Sequence, residues 1–126
     1  MPAKLGVGVI GAGGIAFRRT IPAMLKANNV RVVAVMDPVN VEKVAKTFRI
    51  RRYYSEIEPL LADPEVEAVY IASPVHCHLE QIEAAAQAGK HILCEKPLAR
   101  NLAETKKAVD ICRRKKVFLQ EGYMMK

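Results

Sequence analysis

At 126 residues, about half of them hydrophobic, the chain is long enough for one domain with a core of its own. No apolar run is long enough to cross a bilayer, and the three cysteines (Cys77, Cys94, Cys112) form no C-x-x-C pair; they read as free thiols of a reducing cytosol, so a cytoplasmic chain with no membrane partner is expected. The net charge of +7 gathers at Arg18-Arg19, Arg49-Arg51-Arg52 and Arg113 to Lys116, but no aromatics alternate with these clusters and no base-reading motif accompanies them, which excludes specific nucleic-acid binding and leaves a field suited to a small anionic ligand.

Met1-Pro2-Ala3-Lys4 leads straight into an apolar run, which speaks against a secretory signal. Leu5 to Ile10 is predicted to be the first strand. It stops in Gly11-Ala12-Gly13-Gly14-Ile15-Ala16, where a helical pattern begins and continues to about Lys26, with Pro22 expected to bend it. Val30 to Met36 is the second strand, apolar throughout after Arg31, as a strand covered on both faces must be. Asp37 closes it.

Strand, glycine turn, helix, strand and acid make a dinucleotide-binding arrangement. Gly11 allows the sharp turn out of the strand. Gly13 leaves bare backbone for a pyrophosphate, and Gly14 and Ile15 continue the turn. Ala16 stands where a small residue permits close helix–strand packing. The start of the helix offers unpaired N–H groups and a partial positive charge to the diphosphate. Asp37 lies about 20 residues after Ala16, the spacing of the acid that holds the adenosine ribose. A 2′-phosphate there would meet like charge, and Pro38 has no N–H to offer it, so NAD is favoured over NADP.

The alternation continues. Val39 to Thr47 reads as a helix and Arg52 to Tyr54 as a weak third strand. Ser55 is expected to cap the next turn with Glu58 as its box partner. Asp63-Pro64 is a loop. Ala68 to Ala72 is the fourth strand, ending at Ser73-Pro74. The helix from about His76 to Ala88 carries the stripe Leu79, Ile82, Ala85 and Ala86, and Gly89 stops it. His91 to Cys94 is the fifth strand, ending at Glu95-Lys96-Pro97. Asn101 caps a helix with Glu104 at the box position, with Leu102, Val109 and Cys112 as its apolar stripe. Arg113 to Lys116 complement that helix's dipole, and Val117 to Gln120 is the sixth strand.

Strands alternating with helices through short connections specify an α/β, Rossmann-type doubly wound fold: a mainly parallel six-stranded sheet with helices on both faces. Ligands bind at the carboxyl edge of such a sheet. The candidates for chemistry are therefore Gly11 to Ile15, Asp37, Ser73 to His78, Glu95 to Pro97, and Gly122 to Lys126. His76-Cys77-His78 is set aside as a metal site, because imidazoles at i and i+2 do not share a helix face and no further ligands cluster nearby. None of the cysteines has a base beside it, so nucleophilic catalysis is not expected.

Several signatures coincide in one family. Val9-Ile10-Gly11-Ala12-Gly13-Gly14-Ile15-Ala16, Val35-Met36-Asp37, Ser73-Pro74 with His78, and Ala88-Gly89-Lys90-His91-Ile92-Leu93-Cys94-Glu95-Lys96-Pro97-Leu98-Ala99 resemble the N-terminal domain of the Gfo/Idh/MocA oxidoreductases, from about Leu5 to the end. The Glu-Lys-Pro-Leu segment is a more specific signal than the glycines. The resemblance implies an NAD(P)-dependent dehydrogenase that moves a hydride between a nicotinamide and a sugar, inositol or related polyol. It implies that Lys96 is the catalytic lysine and that Glu95 orients this region. Ser73, Pro74 and His78 match the loop that lies along the cofactor. A lysine so placed could exchange a proton with the substrate hydroxyl.

The family carries a second domain with the substrate pocket. Residues 1–121 therefore read as the dinucleotide-binding domain and 122–126 as the start of the crossover, with Lys126 standing where many relatives carry arginine. Alone, such a domain is expected to bind NAD weakly, to turn over little substrate and to associate with itself, a homo-oligomer through the apolar surface left open. The rival reading is a module that holds NAD or mediates oligomerisation without catalysis.

Overall fold

The structure is a computed structural model and describes residues 4–14 and 16–122. Ile15 and residues 123–126, among the positions singled out above, lie outside the described residues. Six strands form one parallel sheet: β1 (Leu5–Ile10), β2 (Val30–Met36), β3 (Arg52–Tyr54), β4 (Ala68–Ile71), β5 (His91–Cys94) and β6 (Leu119–Glu121). Their spatial order is β3-β2-β1-β4-β5-β6. The chain builds outward from β1 to β3, then returns to the other side of β1 and builds outward again. That reversal between β1 and β4 is the switch point at which open α/β sheets bind ligands.

The strands read as apolar runs because both faces are covered. On one face α1 (Ile21–Lys26) and α2 (Val41–Phe48) pack on Val7, Val9, Val35 and Tyr70. On the other, α3 (Ile57–Leu61), α4 (His78–Gln87) and α5 (Leu102–Lys115) pack on Ile10, Met36, Val69 and Ile71. Period-2 alternation along β4 thus sends Tyr70 to one layer and its two neighbours to the other. Among the described residues no helix is long and apolar enough to cross a membrane.

Several local expectations change. Pro22 sits in the first turn of α1. Before it the chain makes a wide π-type turn over Ala16–Thr20. Ser55 does not cap α3. The helix starts later, from Glu56 with an extended backbone and no side-chain cap bond, which removes the three-residue spacing to Glu58. Only half of the Asn101 box forms: Asn101 accepts from Glu104 N at 2.9 Å, while Glu104 reaches back to Arg100 N and its guanidinium.

The buried stripe of α5 is Ala108, Ile111 and Cys112, whereas Leu102 is 69% exposed. Ala108 shares one buried cluster with the equally small Ala85 and Ala86 of α4, the helix on which α5 packs. The sixth strand begins later than Val117, because Val117 N closes the end of α5 on Cys112 O.

Candidate functional site

The ends of β1, β2, β4 and β5 are pinned to one another. Gly11 N donates to Met36 O, Ala72 N to Ile10 O and Glu95 N to Ile71 O, each at 2.8 Å. These bonds bring the glycine turn, Asp37, Ser73 and Glu95 to one edge of the sheet, although they come from four separate segments.

Gly11 has φ +84° and is packed against the Ser73 backbone. An L-residue resists that φ, and there is no room for a side chain. At Gly13 and Gly14 the reverse holds. Among the described residues nothing stands within 4 Å of where a Cβ would be, so their backbone faces open space, Gly14 with φ +55°. Gly11, Gly13 and Gly14 form one wall of a hollow of about 310 Å³, completed by Asp37, Ala72, Ser73 and Pro74. A diphosphate needs bare amides it can approach closely, and this wall supplies them. A larger, open hollow of about 570 Å³ runs along α2 beside Val39, Asn40, Lys43 and Lys46 and contains none of the predicted site residues.

Asp37 is fixed by the turn it begins. Its Oδ2 accepts from Val39 N and Asn40 N, both at 3.0 Å. Pro38 has no N–H, so the next two residues provide the donors. Oδ1 makes no hydrogen bond among the described residues and has acceptor capacity to spare.

Ser73 Oγ donates to Gln81 Oε1 on α4. His78 is buried, 1% exposed, at the first position of α4. Its Nε2 lies 2.8 Å from Ser73 O, and its Nδ1 lies 2.9 Å from Pro97 O and 3.2 Å from Leu98 O. His78 thus sits beneath the hollow and joins the Ser73 loop to the Pro97 loop. It does not line the hollow. Among the described residues no three His, Cys, Asp or Glu side chains gather as a metal site.

Glu95 and Lys96 leave β5 at the same edge, Glu95 half-buried and Lys96 exposed. The Lys96–Pro97 peptide is cis. The loop is held beyond Pro97 as well, where Leu98 N donates to Glu121 Oε2 at 2.8 Å. Tyr70 OH donates to Glu95 Oε2 and accepts from Thr20 Oγ1 at 3.1 Å. Burial raises the Tyr70 phenol above its ordinary range, and the neighbouring Glu95 adds to the effect. Burial also pushes the Cys94 thiol up to about 12, with the charges of Glu121 and Glu95 contributing. Thr20, Tyr70, Gln81 and Glu121 were not singled out from the sequence. Tyr70 alone carried a signal there, as a residue with a hydroxyl to satisfy inside an apolar strand.

The model of the oxidoreductase family Gfo/Idh/MocA, with its NAD-binding Rossmann fold, matches residues 5–123. The chain belongs to the Gfo/Idh/MocA family. An uncharacterized oxidoreductase of Rhizobium meliloti is 42% identical over 94% of this chain and 36% of its own length. A dTDP-3,4-didehydro-2,6-dideoxy-alpha-D-glucose 3-reductase of Saccharopolyspora spinosa is 38% identical over 94% of this chain and 36% of its own. The crystal structure of KijD10, a 3-ketoreductase of Actinomadura kijaniata in complex with TDP-benzene and NADP, superposes with a TM-score of 0.88 at 31% identity, covering 96% of this chain and 39% of that one. The chain spans little more than a third of the length of these Gfo/Idh/MocA relatives. It is a nicotinamide-dinucleotide-binding domain of an oxidoreductase family.

Proposed function

We propose that this domain holds NAD for a dehydrogenase or reductase acting on a sugar, inositol or related polyol. The observation that carries the reading is the hollow at the switch point, where three glycine backbones and one anchored carboxylate face the same space. Gly11, Gly13 and Gly14 receive the diphosphate, and Asp37 Oδ1 receives the adenosine ribose. Ser73 and Pro74 bound the hollow on the β4 side. The second oxygen of Asp37 is tied to two amides, so the carboxylate cannot turn away from a 2′-phosphate, and like charge then favours NAD. The NADP-bound relative makes this choice the point to measure.

When bound, the nicotinamide supplies a carrier for hydride. The chain's own part is to orient and to move a proton: Lys96 Nζ exchanges a proton with the reacting hydroxyl or carbonyl oxygen, and Glu95 orients the loop that carries Lys96. The sugar class rests on relatives named for it, a dTDP-dideoxyglucose 3-reductase and a levoglucosan dehydrogenase.

Calorimetric titration of the folded chain with NAD and NADP tests the reading. Uptake of NAD, with NADP about tenfold weaker, is expected. Absence of any uptake by folded chain overturns it. In the protein that carries this domain, Lys96→Met is expected to lower kcat about a hundredfold or more while NAD affinity stays unchanged.

A further inference from the structure

The hydrogen bonds through Tyr70 connect two parts of the site that the fold could have left independent. Thr20 belongs to the π-type turn after the glycines, Tyr70 to the middle of β4, and Glu95 to the loop after β5. Tyr70 is fully buried and Thr20 is 5% exposed. The phenol hydroxyl has one proton to give, which goes to Glu95, and it accepts the proton of Thr20, so its capacity is used in one direction. A π-type turn holds one more residue than an α-turn. Here it ends with Thr20 directed at the phenol.

Packing alone does not account for this arrangement. Phenylalanine would fill the same volume without a buried hydroxyl to satisfy, and a carboxylate drawn from water onto a buried phenol costs desolvation. Gly122 lies close to the same carboxylate: a Cβ built on it would stand 3.3 Å from Glu95 Oε2. One hydroxyl relay therefore fixes the carboxylate immediately before Lys96.

We propose that Tyr70 and Thr20 are positioning residues: they hold Glu95, and through it the Lys96 loop, in register with the glycine turn that receives the dinucleotide. This rests on the reading of Lys96 and the hollow given above. The predicted consequence is that Lys96 is shielded when NAD binds, and that the shielding needs the relay.

The experiment compares the chain with its Tyr70→Phe and Thr20→Val variants. Three quantities are read: NAD affinity by calorimetry, the ¹³C carboxyl resonance of Glu95 without NAD, and acylation of Lys96 by mass spectrometry with and without NAD. In the unaltered chain NAD slows Lys96 acylation about tenfold. In Tyr70→Phe the Glu95 resonance moves and NAD affinity stays within about threefold, yet shielding falls below about twofold. Thr20→Val shows a smaller change of the same kind.

Unchanged shielding in a folded Tyr70→Phe chain overturns the proposal, as does an unmoved Glu95 resonance. If Tyr70→Phe does not fold, Thr20→Val decides by the same two criteria. A chain that takes up no NAD at all refutes the functional reading, and the Glu95 resonance then still reports on the relay by itself.

Discussion

Gly11 stands so close to Ser73 that a Cβ on residue 11 would lie 2.6 Å from the Ser73 amide nitrogen and 2.8 Å from its Cα. Both obstructing atoms are backbone, so neither can swing aside. Gly11→Ala must strain a φ of +84° and also part β1 from the segment after β4. The expected cost is about 3 kcal/mol or more, read from chemical denaturation. A near-wild-type midpoint would contradict the close packing.

Gly13 separates binding from folding. A methyl group there meets no atom of the described residues within 4 Å, so Gly13→Ala should leave stability within about 0.5 kcal/mol. It does project into the space where bare amides face the hollow. NAD affinity should therefore fall by about tenfold or more. Matched melting and titration of the same preparation check both halves. An undiminished affinity would place the diphosphate elsewhere.

Asp37→Ala removes two things together. The amides of Val39 and Asn40 lose their acceptor, which should destabilise the start of α2 by about 1 kcal/mol. The ribose loses a charged acceptor, so NAD binding should weaken about tenfold to a hundredfold. NADP binding should weaken less, because the like charge has gone too. The ratio of the two affinities, measured by calorimetry, should move toward NADP.

These positions were legible in the sequence because each belongs to a local pattern. A strand that ends in glycines and an acid that closes the next strand are contiguous signals. The fold then brings Gly11, Asp37 and Ser73 together by a rule of strand order that needs no side-chain detail. Thr20 and Tyr70 were not legible as partners. They are 50 residues apart, and a further 25 separate Tyr70 from Glu95. Their meeting depends on a π-type turn that apolar periodicity does not announce. The buried face of α5 is hard to read for a related reason: Ala108 is a weak apolar signal in sequence, yet it is fully buried in the core shared with α4, while the larger Leu102 is exposed.

Acid should unfold the chain partly through the opposite edge of the sheet. Burial alone would raise Asp63, but the Glu65 N–H and the Arg52 guanidinium outweigh it and hold the carboxyl below its ordinary value of 3.8. Glu65, paired with Arg52 and Arg31, is held below 4.5. Lowered folded values mean that this stabilisation is complete above the ordinary values and is lost as pH falls through them toward the folded ones. Asp63→Asn should therefore lower Tm at pH 7 and flatten its decline below about pH 4.5. Scanning calorimetry from neutral pH to pH 3 tests this, and parallel curves for the two chains would count against the pairing.

The three thiols should divide by burial. Cys94 is fully buried, with its thiol pushed up to about 12 by that burial and by the Glu121 and Glu95 charges, and Cys112 is buried and also raised. Both are therefore neutral thiols at pH 8, and a disulfide reagent attacks thiolate. Cys77, half-buried in the short turn before α4, is the thiol within reach. Folded chain should release about one equivalent of the Ellman chromophore quickly, and chain in denaturant all three. Cys77→Ser should abolish the fast equivalent. A fast reaction that survives that substitution would mean that β5 or α5 opens readily, contrary to the packing of Cys94 and Cys112 in the core between the sheet and its helices.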